Sequence, residues 1–215
     1  MESELGLQQK FSLPAKMLLV VFGLFHIVDI SYAEDPKAAH DKMALYLAAA
    51  SGTLSEAEKL LNQGFDPNIK NPIGGQTALQ AAAFAGRADM VRLLVGKGAK
   101  VDEPSENGET ALMAGIQHLE IVKLLIELGA NVNHQGVYSA ASRHAGKKGF
   151  TPLIEATLAS NIEVIKYLTA KGADKNIQTH NGKTACDFAL RGEKQKQAEV
   201  LKALACKEPS KQPSA

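Results

Sequence analysis

The chain carries short apolar blocks spaced as on one face of a helix, and each block is closed by a glycine. In Met90-Val91-Arg92-Leu93-Leu94 the apolar positions recur at helical spacing, leaving Arg92 and Lys97 to face water. Ile121, Val122, Leu124 and Leu125 repeat that face, as do Ile162, Val164, Ile165 and Leu168. The segments Leu54 to Gly64, Met90 to Gly98, Ile121 to Gly129 and Ile162 to Gly172 are each predicted to be a helix stopped at its glycine. A helix of this kind needs a neighbour on its apolar side. Alanines at 48 to 50 and 81 to 83 predict a second set of helices whose small side chains let that neighbour approach closely.

Four openings precede these pairs, each reading Gly, one residue, then Thr, with the threonines at 77, 110, 151 and 184. Their intervals of 33, 41 and 33 define a repeat with one insertion of eight residues. Each threonine is a candidate helix cap whose hydroxyl accepts a backbone N–H, and Pro152 stands just inside its helix. Asn107-Gly108 and Asn181-Gly182 favour the positive backbone angles of tight turns, with Asp102, Asn133 and Asn176 near the same tips.

Period and opening together resemble the ankyrin repeat, a β-turn plus two helices that begins Thr-Pro-Leu-His-x-Ala. Thr151, Pro152, Leu153 and Ala156 fit best, Thr77-Ala78-Leu79 with Ala82 and Thr110-Ala111-Leu112 with Ala114 are looser copies, and Thr184-Ala185-Cys186 with Ala189 opens a degenerate last unit. The resemblance covers about residues 40–205. It implies an all-α solenoid of about five helix-pair units with short β-hairpin tips, and a module that binds other proteins without catalysis.

The departures from the repeat carry their own expectations. Residues 41–68 lack the Gly-x-Thr opening and read as an amino-terminal cap, and residues 195–205 supply a closing helix. Ten residues lie between Thr110 and Ile121 against twelve between Thr77 and Met90, so the third unit's first helix or turn is short. Residues 134–148 replace a short tip with a long one holding His134, Tyr138, Arg143, His144, Lys147 and Lys148 and no acidic residue. Surface insertions are thermodynamically cheap, so this one reads either as a solubilising loop or as a basic finger for an acidic partner. Residues 207–215 contain two prolines and no apolar periodicity, and read as a flexible tail.

The amino-terminal stretch has a different logic. Lys10 and Lys16 precede an apolar run from Met17 to Ile30, and Ser31-Tyr32-Ala33 follows with small residues at the two positions a signal peptidase reads. Residues 1–33 are expected to be a signal peptide with a short apolar helix, leaving residues 34–206 as an exported repeat domain in a periplasm or outside the cell. An amphipathic helix over the first unit is the competing reading, and fourteen residues are short for a membrane span.

Composition changes this picture little. The 24 Lys and Arg against 23 Asp and Glu leave a net charge of +1, which argues against a protein built to neutralise many phosphates of a nucleic acid. Histidines at 26, 40, 118, 134, 144 and 180 form no close ligand set, Ser and Cys sit in no nucleophile elbow, and Gly74-Gly75 and Gly96-x-Gly98 lack the strand-loop-helix context of a phosphate loop. No cofactor, metal or intrinsic enzyme activity is expected. Cys186 and Cys206 either staple the last unit as a disulfide after export or remain a buried and an exposed thiol.

The expected function is therefore recognition of a protein partner by a monomer, through first helices and tips. Aligned first-helix positions nominate Tyr46, Gln80, Met113, Ile154 and Asp187, and the tips nominate Ile73, Glu103, Tyr138, Arg143, Lys147 and Lys148. Met113 and Ile154 read equally well as core residues. Regulation or protection of an exported enzyme by binding, and a purely structural scaffold, are the alternative roles.

Overall fold

The computed structural model describes residues 16–21, 24–29, 36–136, 149–190 and 194–206. Residues 1–41 and 42–215 form two separate compact units.

Within the first unit, β1 (Lys16–Val21) and β2 (Leu24–Asp29) pair as an antiparallel hairpin, with Lys16 opposite Asp29 and Val21 opposite Leu24. This corrects the helix expected for the apolar run. The segment is rich in Val, Ile and Phe, residues that favour extended backbone. The cleavage point expected after Ala33 and the tail at 207–215 lie outside the described residues.

From Pro36 onward every regular element among the described residues is an α-helix. α1 (Pro36–Ala50) and α2 (Leu54–Asn62) come first, followed by α3 (Ala78–Phe84) and α4 (Ala88–Gly96). α5 (Ala111–Ala114) with α6 (Leu119–Glu127), α7 (Pro152–Leu158) with α8 (Ile162–Ala170), and α9 (Ala185–Ala189) with α10 (Lys194–Ala203) complete the order. First helices pack on first helices, α3 on α5, α5 on α7 and α7 on α9, while α2, α4, α6, α8 and α10 form a second layer in sequence.

The core lies between these layers. Leu94, Leu125 and Leu168 hold equivalent places in α4, α6 and α8 and are fully buried, as are Leu79, Leu112 and Leu153 of the first helices that pack on them. Each such side chain contributes roughly 1.5–3 kcal/mol by leaving water. Capping fixes where the helices begin: Thr77 accepts the Gln80 N–H while Gln80 accepts the Thr77 N–H, and Thr53 with Glu56 and Thr184 with Asp187 form the same reciprocal box. Thr151 caps α7, with Pro152 as its first residue.

The shortening expected in the third unit falls on α5, which has four residues where α3 has seven. Thr110 precedes it without a side-chain cap bond, and its buried Oγ1 has no hydrogen-bond partner. Gly115 ends this helix against Ile121, whose Cγ2 would stand 2.7 Å from an added Cβ.

The tips are turns rather than strands. One antiparallel bridge joins Lys70 and Thr77; at two other tips Ser105 N–H donates to Glu109 O and Thr179 N–H to Lys183 O, both at 2.9 Å, each with one turn bond inside it, Gly108 N–H to Ser105 O and Gly182 N–H to Thr179 O. One rung per tip is too little ladder for a hairpin strand. The insertion leaves from Gly136, which donates to Phe150 O at 3.0 Å, and returns at Gly149, which donates to Gly136 O at 2.8 Å. At the carboxy-terminal end a disulfide joins Cys186 in α9 to Cys206 after α10, resolving the two thiol readings.

Candidate functional site

Two sets of side chains bind each unit to the next. Asn68 donates from Nδ2 to Gly98 O at 3.2 Å and accepts the Lys100 N–H at 2.8 Å. Two repeats later in the stack, Asn133 makes the same pair of bonds to Gly172 O at 3.1 Å and from Asp174 N–H at 2.8 Å. Between them Asp102 takes the Asn131 N–H on both carboxylate oxygens. In the tip after α8, Lys175 donates to Leu204 O and Ala205 O, tying that tip to the end of α10.

The second set stands just before the second helices. Arg87 donates from its guanidinium to Ala48 O, Ala49 O and Gly52 O, capping the open end of α1. His118 Nε2 lies 3.0 Å from Phe84 O at the end of α3, and Asn161 Nδ2 donates to Ile116 O at 3.1 Å beyond α5. Each residue thus closes the helix end of the preceding unit, where carbonyls lack intrahelical partners. Reading each helix separately does not reveal these bonds, because both partners sit about one repeat apart. The signal lies in comparing the same offset, four residues after each closing glycine, across units: Asn68, Asp102, Asn133 and Asn176.

The structure divides the residues nominated from sequence. Tyr46, Gln80, Met113 and Ile154 are at most 5% exposed, which corrects their reading as surface contacts. Gln80, Met113 and Ile154 are each the third residue of their helix, whereas Tyr46 lies late in α1, and all four are covered in the stack. Tyr46 donates to Gln76 Oε1 at 3.0 Å, and burial, with the charge of Glu109 added, pushes its phenol above the ordinary tyrosine value. Gln80 spends its amide on the Thr77 N–H and on the carbonyls of Glu103 and Glu109. The Thr-x-x-Gln spacing at 77–80 was the available sign of that role. Asp187 is half-buried and caps Thr184.

At the tips, Ile73 is 44% exposed. Glu103 is partly exposed and pairs with Lys70 at 2.9 Å, whose Nζ also donates to Pro104 O. Tyr138, Arg143, Lys147 and Lys148 lie outside the described residues. Sequence reading missed Phe84, Leu158 and Leu190, which stand exposed at the ends of α3, α7 and α9.

A groove of about 460 Å³ between α1 and α2 is lined by Ala44, Leu47, Ala48, Leu60 and a few polar residues. Glu56 on its wall is already held by the Thr53 N–H at 2.7 Å. Among the described residues no three His, Cys, Asp or Glu side chains are grouped to hold a metal ion, and no helix is long and apolar enough to cross a membrane.

Helix pairs layered by first and second helix, with capped openings and a repeating tip, define a repeat protein. A family model of ankyrin repeats in three copies matches residues 45–136, and one of many copies matches residues 117–169. The chain belongs to the ankyrin-repeat family through these segments. It is 32% identical over 148 residues to ZDHHC13 of Danio rerio, named as a palmitoyltransferase, covering 67% of this chain and 21% of that protein. Ankyrin repeat and SOCS box protein 16 of Homo sapiens is 33% identical over 150 residues, covering 69% of this chain and 31% of its own length. Ankyrin repeat and SOCS box protein 6 of Homo sapiens is 33% identical over 162 residues, with 70% and 36% covered. The chain therefore spans little more than a third of these relatives at most. Ankyrin repeats are generally protein–protein interaction modules and generally non-catalytic.

Proposed function

We propose that this protein is a non-catalytic recognition module that holds a protein partner on its first-helix layer and tips. The ten helices among the described residues are counted as five ankyrin units, with α1–α2 and α9–α10 as terminal caps. The observation that carries the reading is an asymmetry of use. Polar side chains at the unit boundaries are consumed in holding the stack together, while Ile73, Leu158 and Leu190 keep apolar surface in water. A stack fixed in this way loses little freedom when it binds.

We further propose that residues 1–33 direct export to a periplasm or the cell exterior, and that the protein works there as a monomer. The Cys186–Cys206 disulfide supports an oxidising compartment. Tyr138, Arg143, Lys147 and Lys148 of the insertion are assigned to acidic groups on the partner, with Ile73 and Glu103 beside them.

The test is affinity capture of the tagged full chain after native localisation, with and without the four insertion side chains. A protein partner retained by the parent and weakened by the quadruple substitution is expected. Recovery of the chain alone from every compartment would reject recognition. If the captured partner is an enzyme, its turnover in the complex separates regulation from tethering.

A further inference from the structure

The last unit holds the base of the insertion from two sides. Phe188 of α9 meets Phe150 edge-on with ring centroids 5.1 Å apart, and Phe150 O accepts the Gly136 N–H where the insertion leaves. From the tip before α9, Gln178 O accepts from Gln135 Nε2 at 3.2 Å. Thr179 of the same tip lies so close to Gly149 that a Cβ added there would stand 3.1 Å from the Thr179 Cα. Gly149 donates to Gly136 O, so the two ends of the insertion are tied to each other and to the unit that follows.

That unit is itself held by few groups. α9 has five residues, too short to persist as a helix without a neighbour. α10 is mostly Lys, Gln, Glu and Ala, and it is seated by buried Val200 and Leu201, with Leu204 just beyond its end. Lys175 donates to Leu204 O at 3.0 Å and to Ala205 O at 2.6 Å from the tip that also carries Gln178, and Gln197 Nε2 donates to Leu190 O at 2.8 Å. Cys186–Cys206 adds a covalent tie between α9 and the end of α10, two residues before Phe188. Both cysteines are half-buried and keep surface in water, where an attacking thiolate can arrive.

We propose that the Cys186–Cys206 disulfide is a redox latch on the base of the insertion. Oxidised, it keeps α9 and α10 seated and the ends at Gly136 and Gly149 fixed; reduced by a dithiol, it lets the last unit open and frees them. One thiolate of the dithiol attacks a cysteine sulfur and the other cysteine leaves as a thiolate. The second thiol of the reductant then breaks the mixed disulfide, so the reductant departs as its own disulfide while two electrons and two protons pass to the cysteines. Opening removes the Lys175 bonds and loosens the seat of Phe188, so both ties to the insertion weaken in one local event. The change at Gly136 and Gly149 stands without the recognition reading; its effect on a partner held by the insertion rests on that reading.

The test is amide exchange of the full chain before and after dithiothreitol, with the double variant Cys186→Ser and Cys206→Ser as the form that the reductant cannot change. Reduction is expected to speed exchange at least tenfold in α9 and α10 and at least threefold at the Gly136 and Gly149 amides, to leave α3 and α4 at their oxidised rates, and to reverse on reoxidation. In the oxidised chain, Phe188→Leu should speed Gly136 severalfold while α10 keeps its rate. Loosening confined to α9 and α10, no loosening at all, or an equal rise in α3 and α4 that marks unfolding of the whole stack would overturn the latch. These outcomes are read on the unaltered sequence, so they decide the matter even if the Phe188 variant does not fold. A captured protein partner retained equally by the oxidised and reduced chains would overturn redox control of binding and leave recognition standing, whereas capture of no protein would sink recognition while the exchange rates still decide the latch.

Discussion

Asp102 holds the Asn131 N–H with both carboxylate oxygens, each at 3.1 Å, where Asn68 and Asn133 reach the next unit with one acceptor and one donor. A carboxylate cannot supply the donated half of that pair. The junction between the second and third units is therefore built with one side-chain bond fewer at this position. Asn133→Asp should lower stability by about 0.5–1.5 kcal/mol and Asn133→Ala by about 1–2 kcal/mol, since the first loses one bond and the second loses two. Urea unfolding checks the order; equal losses would contradict it.

The four threonines at the repeat openings are alike in sequence and unlike in use. Thr77, Thr151 and Thr184 each accept a backbone N–H three residues on, whereas the buried Thr110 hydroxyl meets no partner. Thr110→Val should be neutral or stabilising, and Thr77→Val or Thr151→Val should cost about 1 kcal/mol. Thermal melts of the three variants decide this directly.

Tyr46 makes stability fall in alkali. Its phenol titrates above the ordinary 10.0 in the folded chain because burial, and then Glu109, disfavour the anion. The unfolded chain gives up this proton first, so the stabilisation is complete below pH 10.0 and is lost as pH rises toward the folded value. Tyr46→Phe should cost about 1 kcal/mol at neutral pH through the lost bond to Gln76, and should have a shallower alkaline decline. Ultraviolet titration of the folded variant should lack a tyrosine step above the ordinary value that the parent shows.

The disulfide closes a segment with a sequence separation of 20 residues around α10. Replacing Cys186 and Cys206 by Ser should cost about 3 kcal/mol, with faster amide exchange concentrated in α9 and α10. Free thiols in protein recovered from an oxidising compartment would contradict the pairing.

How far the sequence could be read depended on where an interaction's two ends lie. The period at Thr77, Thr110, Thr151 and Thr184, the closing glycines and the buried Leu94, Leu125 and Leu168 all follow from patterns within one helix or one turn. The insertion point and the short third unit followed from counting. The contact residues on first helices did not, because α3 has seven residues and almost all of them are covered by a tip or a neighbouring helix. At Gln80 the outward phase of an isolated helix gave way to a cap and two carbonyls of the next unit. Arg87, His118 and Asn161 differ chemically while doing the same work, so similarity of residue type could not align them.

Photo-crosslinking in the native compartment tests the account most directly. A crosslinker placed at Ile73 or Leu158, on the tip and first-helix side, is expected to trap a discrete protein, while one at Arg92 or Lys166 on the second helices traps none. Trapping from Arg92 and Lys166 alone, or from no position on a folded chain, would contradict the assignment of recognition to the first-helix layer.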